Sequence, residues 1–139
     1  MNQPLYTTEI LRLAASLDEP QELEREDGHA ELRSKTCGSI VTLAVQLDEQ
    51  RRVQRLSMKV QACAFGQASA ALLARHSRGR SHDEVSEAML ALSHWLAEEH
   101  PQPNWPGIAA LSPARTKRAR HGAIMLPFRA LLAAMEDAR

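Results

Sequence analysis

The chain reads as an α+β protein in which a three-stranded antiparallel sheet carries helices packed on one face. Two stretches in the first half, 40–48 and 53–62, alternate apolar and polar residues with a period of two. Alternation with a polar side marks a sheet covered on one face only. Beyond residue 65 the chain turns rich in alanine and leucine, and its apolar residues recur at helical spacing. Strands grouped early and helices grouped late give the α+β order.

Each element has a local reason. Leu5, Ile10, Leu13, Ala14 and Leu17 share one side of a helix, with Thr7 or Thr8 placed to cap it. Asp18-Glu19-Pro20 stops that helix, because proline disfavours helical geometry in the residue before it. An acidic loop over 20–28 follows, then a weak strand from His29 to Lys35. The next strand sets Val41, Leu43, Val45 and Leu47 against Thr42, Gln46 and Asp48. The third sets Leu56, Met58, Val60 and Ala62 against Arg55, Ser57, Lys59 and Gln61, and 48–52 joins the two as a hairpin.

Residues 67–77 form a helix by composition, and Ser-Arg-Gly-Arg (77–80) breaks it. Ser81 and Glu84 have capping-box spacing ahead of Val85, Met89, Leu92 and Leu96, the buried stripe of a helix reaching about Glu98. A proline-rich loop (100–107), a short helical segment at 108–111 and a basic stretch (114–121) lead into a last helix through Glu136. Pro127 lies inside that helix, where it is tolerable in a first turn and otherwise forces a kink.

Composition bounds the function. At 139 residues, 44% hydrophobic and 24% charged, the whole chain 1–139 is expected to be one soluble domain with its own core. Seventeen bases balance seventeen acids, which argues against a nucleic-acid binder. No stretch approaches the roughly 20 apolar residues of a membrane helix. Met1-Asn2-Gln3-Pro4 has no basic or apolar leader character, so the expected location is the reducing cytoplasm, with both cysteines as free thiols. The neutral total hides a gradient: eight acids and four bases in 1–35, six bases and two acids in 111–139. Such polarity either steers a charged partner or draws the two ends together.

Chemistry concentrates on the cysteines. Cys37 lies in the turn Thr36-Cys37-Gly38-Ser39, and Cys63 lies where the third strand enters a helix. Both stand at element ends, where reactive groups tend to be displayed. The positive end of the helix after Cys63 faces back toward its thiol, favouring a nucleophilic, metal-binding thiolate. Two cysteines 26 residues apart are, by spacing alone, equally compatible with inert core thiols. Of the histidines, His76, His82 and His94 are expected at the surface, His29 and His100 in loops, and none has zinc-motif spacing. Arg115, Lys117, Arg118 and Arg120 form either a docking patch for an acidic partner or a solvated face. No aromatic residue is interleaved among them to stack on bases. Trp105 is read as a plug beneath its loop.

The run T-C-G-S-I-V-T-L-A-V, the hairpin, M-K-V-Q-A-C-A-F-G-Q-A-S-A-A-L-L and then G-R-S-H-D-E-V resembles the IscU/NifU-type iron–sulfur cluster assembly scaffolds. The resemblance spans about residues 5 to 136 and is densest from Cys37 to Glu84. It implies that Cys37 and Cys63 correspond to the family's first two cysteine ligands. His121 stands at the place of the third cysteine, and Ser39 at the place of the family's aspartate. In a second register His121 matches the histidine that commonly precedes the third cysteine, with Gly122 at the cysteine position. The implied site is a Cys₂His set of Cys37, Cys63 and His121 binding iron or a [2Fe–2S] cluster, with zinc as the alternative; imidazole serves both metals. The implied work is acceptance of persulfide sulfur from a cysteine desulfurase, by Cys37 or Cys63, and handover to cluster-acceptor proteins. A zinc-dependent sulfur acceptor of SufU type and a degenerate member acting as a regulatory binding module are the competing readings. A homo-oligomer is left open.

Overall fold

The computed structural model describes residues 6–35, 38–99 and 101–138. Three strands, β1 (Gly28–Arg33), β2 (Ile40–Leu47) and β3 (Val53–Gln61), form one antiparallel sheet in the order β1-β2-β3. Among the described residues there are also four helices, α1 (Thr8–Ala15), α2 (Ala64–His76), α3 (His82–Leu96) and α4 (His121–Asp137), and 3₁₀ segments at Ile108–Thr116 and Arg118–Arg120. The fold is α+β, as the sequence predicts.

The register explains why one face is apolar. Val41 pairs with Val60, Leu43 with Met58 and Val45 with Leu56. A bulge at Gln46/Leu47 then brings Leu47 opposite Val53, so the inward set continues. Asp48 holds the hairpin loop, its carboxylate accepting the N–H groups of Gln50 and Arg52, each at 2.9 Å. Beneath this face Phe65, Leu72, Ile124, Phe128 and Leu131 are almost wholly buried. Each such side chain contributes on the order of 1.5–3 kcal/mol of transfer free energy. α4 crosses the start of β1 so closely that a Cβ on Gly28 would meet the Ala134 carbonyl oxygen at 2.0 Å.

The polar face is covered in part, with Glu31, Arg33, Lys59 and Gln61 left exposed. Residues 17–27 lead from α1 past the polar side of the sheet to β1. On the way the Gln21 N–H donates to Ser57 Oγ (2.8 Å) and Arg25 Nη2 donates to the Leu47 carbonyl (2.6 Å). Asp27 accepts the Leu47 N–H at 2.7 Å, and Gln46 is only 2% exposed. One-sided alternation reports which residues face the core, and a polar strap can cover the other side without disturbing it.

Boundaries moved where caps decide them. α1 begins at Thr8 because Thr7 accepts the Ile10 N–H (3.1 Å), and it ends at Ala15, ahead of the proline. β1 spans 28–33 instead of 29–35. α2 begins at Ala64, three residues before the alanine-rich run, which makes Cys63 its N-cap. The capping box of Ser81 and Glu84 forms as the sequence predicts. The helical segment expected at 108–111 runs to Thr116 as 3₁₀ helix. Trp105 is the plug: its Nε1–H donates to the Leu72 carbonyl (2.9 Å), its ring meets Phe128 edge-on at 5.2 Å, and Arg80 lies 4.3 Å over it. His94 is exposed as expected, but His76 is half-buried; its imidazole is held below the usual histidine range by that burial, then by the charges of Arg75 and Arg80. α4 runs through Pro127. Proline has no N–H to give the Ala123 carbonyl. One residue on, the Ser69 hydroxyl donates to the Ile124 carbonyl at 2.6 Å.

Candidate functional site

Cys63 is the N-cap of α2, with φ −66° and ψ 172°, and its side chain makes no capping hydrogen bond. It is half-buried and packs against the core. Its own carbonyl accepts the Gln67 N–H (3.0 Å), while the Gln67 side chain turns back to the Ala62 carbonyl (3.0 Å). The first turn of α2 is thereby closed without the thiol, which leaves the sulfur uncommitted to the backbone.

His121 is the first residue of α4. Its Nε2 lies 2.8 Å from the Ala114 carbonyl oxygen in the preceding 3₁₀ segment. A carbonyl only accepts, so Nε2 carries a proton here, and Nδ1 is the nitrogen left to offer a lone pair. Metal-ligating histidines are oriented in this way, one nitrogen donating to a backbone carbonyl and the other free for the metal.

Small residues bring the two helix starts together. A Cβ on Gly66 would lie 3.2 Å from both the Cβ and the carbonyl oxygen of Ala123. The first turns of α2 and α4 therefore touch three residues beyond Cys63 and two beyond His121. Neither first turn contains an acidic residue, and neither N-cap is satisfied by a side chain. Two positive helix ends consequently meet at one corner of the molecule.

Cys37 lies outside the described residues. The turn in which the sequence sets it is anchored on both sides: the Ser34 N–H donates to the Ser39 carbonyl (2.8 Å), and the Gly38 N–H donates to the Ser34 carbonyl (3.1 Å). Gly38 has φ +71°, a left-handed conformation that glycine adopts without strain. Ile40 pairs with Gln61, so this turn and Cys63 share one end of the sheet. Ser39, beside this turn, is 4% exposed. Among the described residues no three His, Cys, Asp or Glu side chains gather as a metal centre; of the expected ligand set, these include only Cys63 and His121.

The basic run divides. Arg115 turns inward, its Nε donating to the Trp95 carbonyl (2.8 Å) and its guanidinium 5.1 Å from the Trp95 ring. Lys117 and Arg118 are exposed, and no described acid pairs with either or with Arg120. The sequence reading missed the Ala114 carbonyl, because a backbone oxygen has no residue signature. It missed the Gly66–Ala123 contact too, although two small residues just inside two helix starts were visible.

An α+β fold with a thiol and an imidazole at adjoining helix starts defines the class of protein. Residues 5–99 match the NifU-like N terminal domain family, and the chain belongs to that family. It is similar to the N-terminal part of a nitrogen-fixing NifU-like protein from Brucella abortus, with 31% identity and a TM-score of 0.88 over 96% of this chain and 94% of that one. It is also similar in fold to a protein from Fervidobacterium islandicum AW-1 described as an iron–sulfur cluster assembly scaffold for the SUF system. There the identity is 20% and the TM-score 0.82, over 94% of this chain and 96% of that one. No curated protein matches the chain. No helix among the described residues is long and apolar enough to cross a membrane.

Proposed function

We propose that this protein is an iron–sulfur cluster assembly scaffold that takes sulfur and iron through Cys37, Cys63 and His121. The observation that carries the reading is the paired helix start: Cys63 uncommitted at one, His121 with its Nε2 tied to Ala114 at the other. Cys₂His donors suit iron and zinc alike, and two thiolates neutralise a divalent ion.

In sulfur acceptance, Cys63 or Cys37 as thiolate attacks the outer sulfur of a persulfide on a cysteine desulfurase. The sulfur–sulfur bond of the donor breaks, its cysteine leaves as thiolate, and the persulfide now stands on this chain. Two positive helix ends favour the anionic thiolate and persulfide at this corner. The assembled [2Fe–2S] cluster is cargo, passed on to acceptor proteins in the cytoplasm. A second reading follows from the substitutions: His121 and Ser39 in place of cysteine and aspartate give a donor set that suits resident zinc. In that case Cys37, Cys63 and His121 hold the zinc and the protein is a sulfur acceptor.

The test is anaerobic reconstitution of the whole protein with iron, cysteine and a desulfurase, beside Cys37→Ser and Cys63→Ser variants. A cluster absorption band in wild type that both variants lose supports the scaffold. Bound zinc without a cluster supports the second reading. Neither metal in wild type overturns both.

A further inference from the structure

Gln67 grips the chain on both sides of Cys63. Its backbone N–H donates to the Cys63 carbonyl (3.0 Å), and its side-chain Nε2–H donates to the Ala62 carbonyl (3.0 Å). These carbonyls belong to the two peptide planes that meet at the Cys63 Cα. We propose that Gln67 is a positioning residue, whose side chain fixes the direction in which Cys63 offers its thiol. The inference rests on the reading of Cys63 as a sulfur acceptor and adds a residue that acts through it.

Planar peptides leave φ and ψ as the only soft rotations at an α-carbon. With the planes before and after Cys63 both held, those rotations are held too, at φ −66° and ψ 172°, and the Cα–Cβ bond with them. The backbone bond from residue 67 to residue 63 is an ordinary helical rung, present with almost any residue at position 67. The bond to Ala62 is not. That carbonyl lies between the end of β3 at Gln61 and the start of α2 at Ala64, and it takes its donor from the Gln67 side chain. Ala62 is braced from the side as well, since a Cβ on Gly66 would lie 2.7 Å from its own.

Direction matters for the chemistry. In sulfur acceptance the thiolate bonds to the outer sulfur of the donor persulfide as the donor cysteine leaves as thiolate. The reacting atoms must come to about 3–3.5 Å in alignment, and a misplacement of about 1 Å can cost about 100-fold in rate. Cys63 is half-buried against the core, so its sulfur has a restricted range of approach. A tilt of the Ala62–Cys63 plane carries the Cβ, and the sulfur on it, away from that approach.

The experiment compares the whole wild-type protein with Gln67→Met and Gln67→Lys. Methionine keeps the length and helix propensity of glutamine without a donor, whereas lysine keeps a donor. Residual dipolar couplings of the Cys63 and Ala64 amides read the two peptide planes. In Gln67→Met the Cys63 coupling is expected to shrink by averaging, while that of Ala64, still held by the backbone bond, stays. Transfer of sulfur from a cysteine desulfurase persulfide to Cys63, located by peptide mass spectrometry, is expected to slow about tenfold. Gln67→Lys should restore both. Couplings that shrink together would show that the helix start frays and that Gln67 only stabilises it, which overturns the proposal. An unchanged Cys63 coupling, or an unchanged rate beside a reduced one, overturns it too. A wild type that takes no sulfur on Cys63 instead removes the acceptor reading, and the couplings then decide by themselves whether Gln67 holds the plane.

Discussion

Gly66 and Ala123 are in contact across two helices, the backbone of the first lying where any side chain would strike the second. A methyl group at position 66 would stand 2.7 Å from the Ala62 Cβ and 3.2 Å from the Ala123 Cβ. Alanine normally gains up to about 1 kcal/mol over glycine inside a helix, but overpacking a filled contact costs about 1–3 kcal/mol. Gly66→Ala is therefore expected to lower stability in urea unfolding, and Ala62→Gly in the same chain to restore part of it. A Gly66→Ala variant more stable than wild type would show that the helix starts are not tightly packed.

His121 should bind metal as a single tautomer. Long-range nitrogen NMR is expected to find the proton on Nε2, held by Ala114. Added zinc or ferrous iron should then shift Nδ1 selectively. His121→Ala should lower metal affinity by a factor of about ten or more, in the range produced when even an outer partner of a ligand is lost. His121→Cys should keep the metal. A metal-bound protein in which Nδ1 does not move would remove His121 from the ligand set.

Asp27 links stability to acid. Its carboxyl is held below the ordinary carboxylate value first by the Leu47 N–H it accepts and then by Arg25. A carboxylate favoured in the fold stabilises fully above its unfolded value of about 3.9, and that contribution is lost as pH falls through the lower folded value. Asp27→Asn should cost about 1–2 kcal/mol at pH 7, the scale of one hydrogen bond to a charged group. The gap between variant and wild type should shrink below pH 4; a gap independent of pH would refute the linkage.

His76 acts in a higher window. Burial disfavours its cation, with Arg75 and Arg80 adding repulsion, so the folded chain takes up its proton at lower pH than the unfolded chain. Its neutral form stabilises above the unfolded value of about 6.5, and the contribution is lost as pH falls through the folded value. Stability should thus decline between pH 7 and pH 5, and His76→Gln should flatten that slope. Chemical denaturation at several pH values reads this directly, and an unchanged slope in the variant would contradict it.

Much of the architecture was legible because local rules agreed with global packing. The alternation of 40–47 and 53–61 fixed the sheet face, and Ser81 with Glu84 fixed the start of α3. What escaped the sequence was made by backbone atoms or distant neighbours. Nothing in residues 20–27 announces that they line the polar face, since their anchors are Ser57 and Leu47. Arg115 looked like one more cation of a patch, and only the position of Trp95 shows that it turns inward. At the candidate site the cysteine contexts were readable as motifs, whereas the partner that orients His121 is the carbonyl of an alanine.

Pro127 gives α4 two mechanical halves. The far half is clamped, with Gly28 pressed against Ala134 and the His29 N–H donating to Asp137 at 3.0 Å. The near half carries His121, and the ladder rung that would tie it to the far half through the Ala123 carbonyl is missing. Across that gap the Ser69 hydroxyl of α2 bonds the next carbonyl, Ile124, and Gly66 packs on Ala123. The half of α4 that carries His121 is thus held sideways by α2, and the far half is held by the sheet.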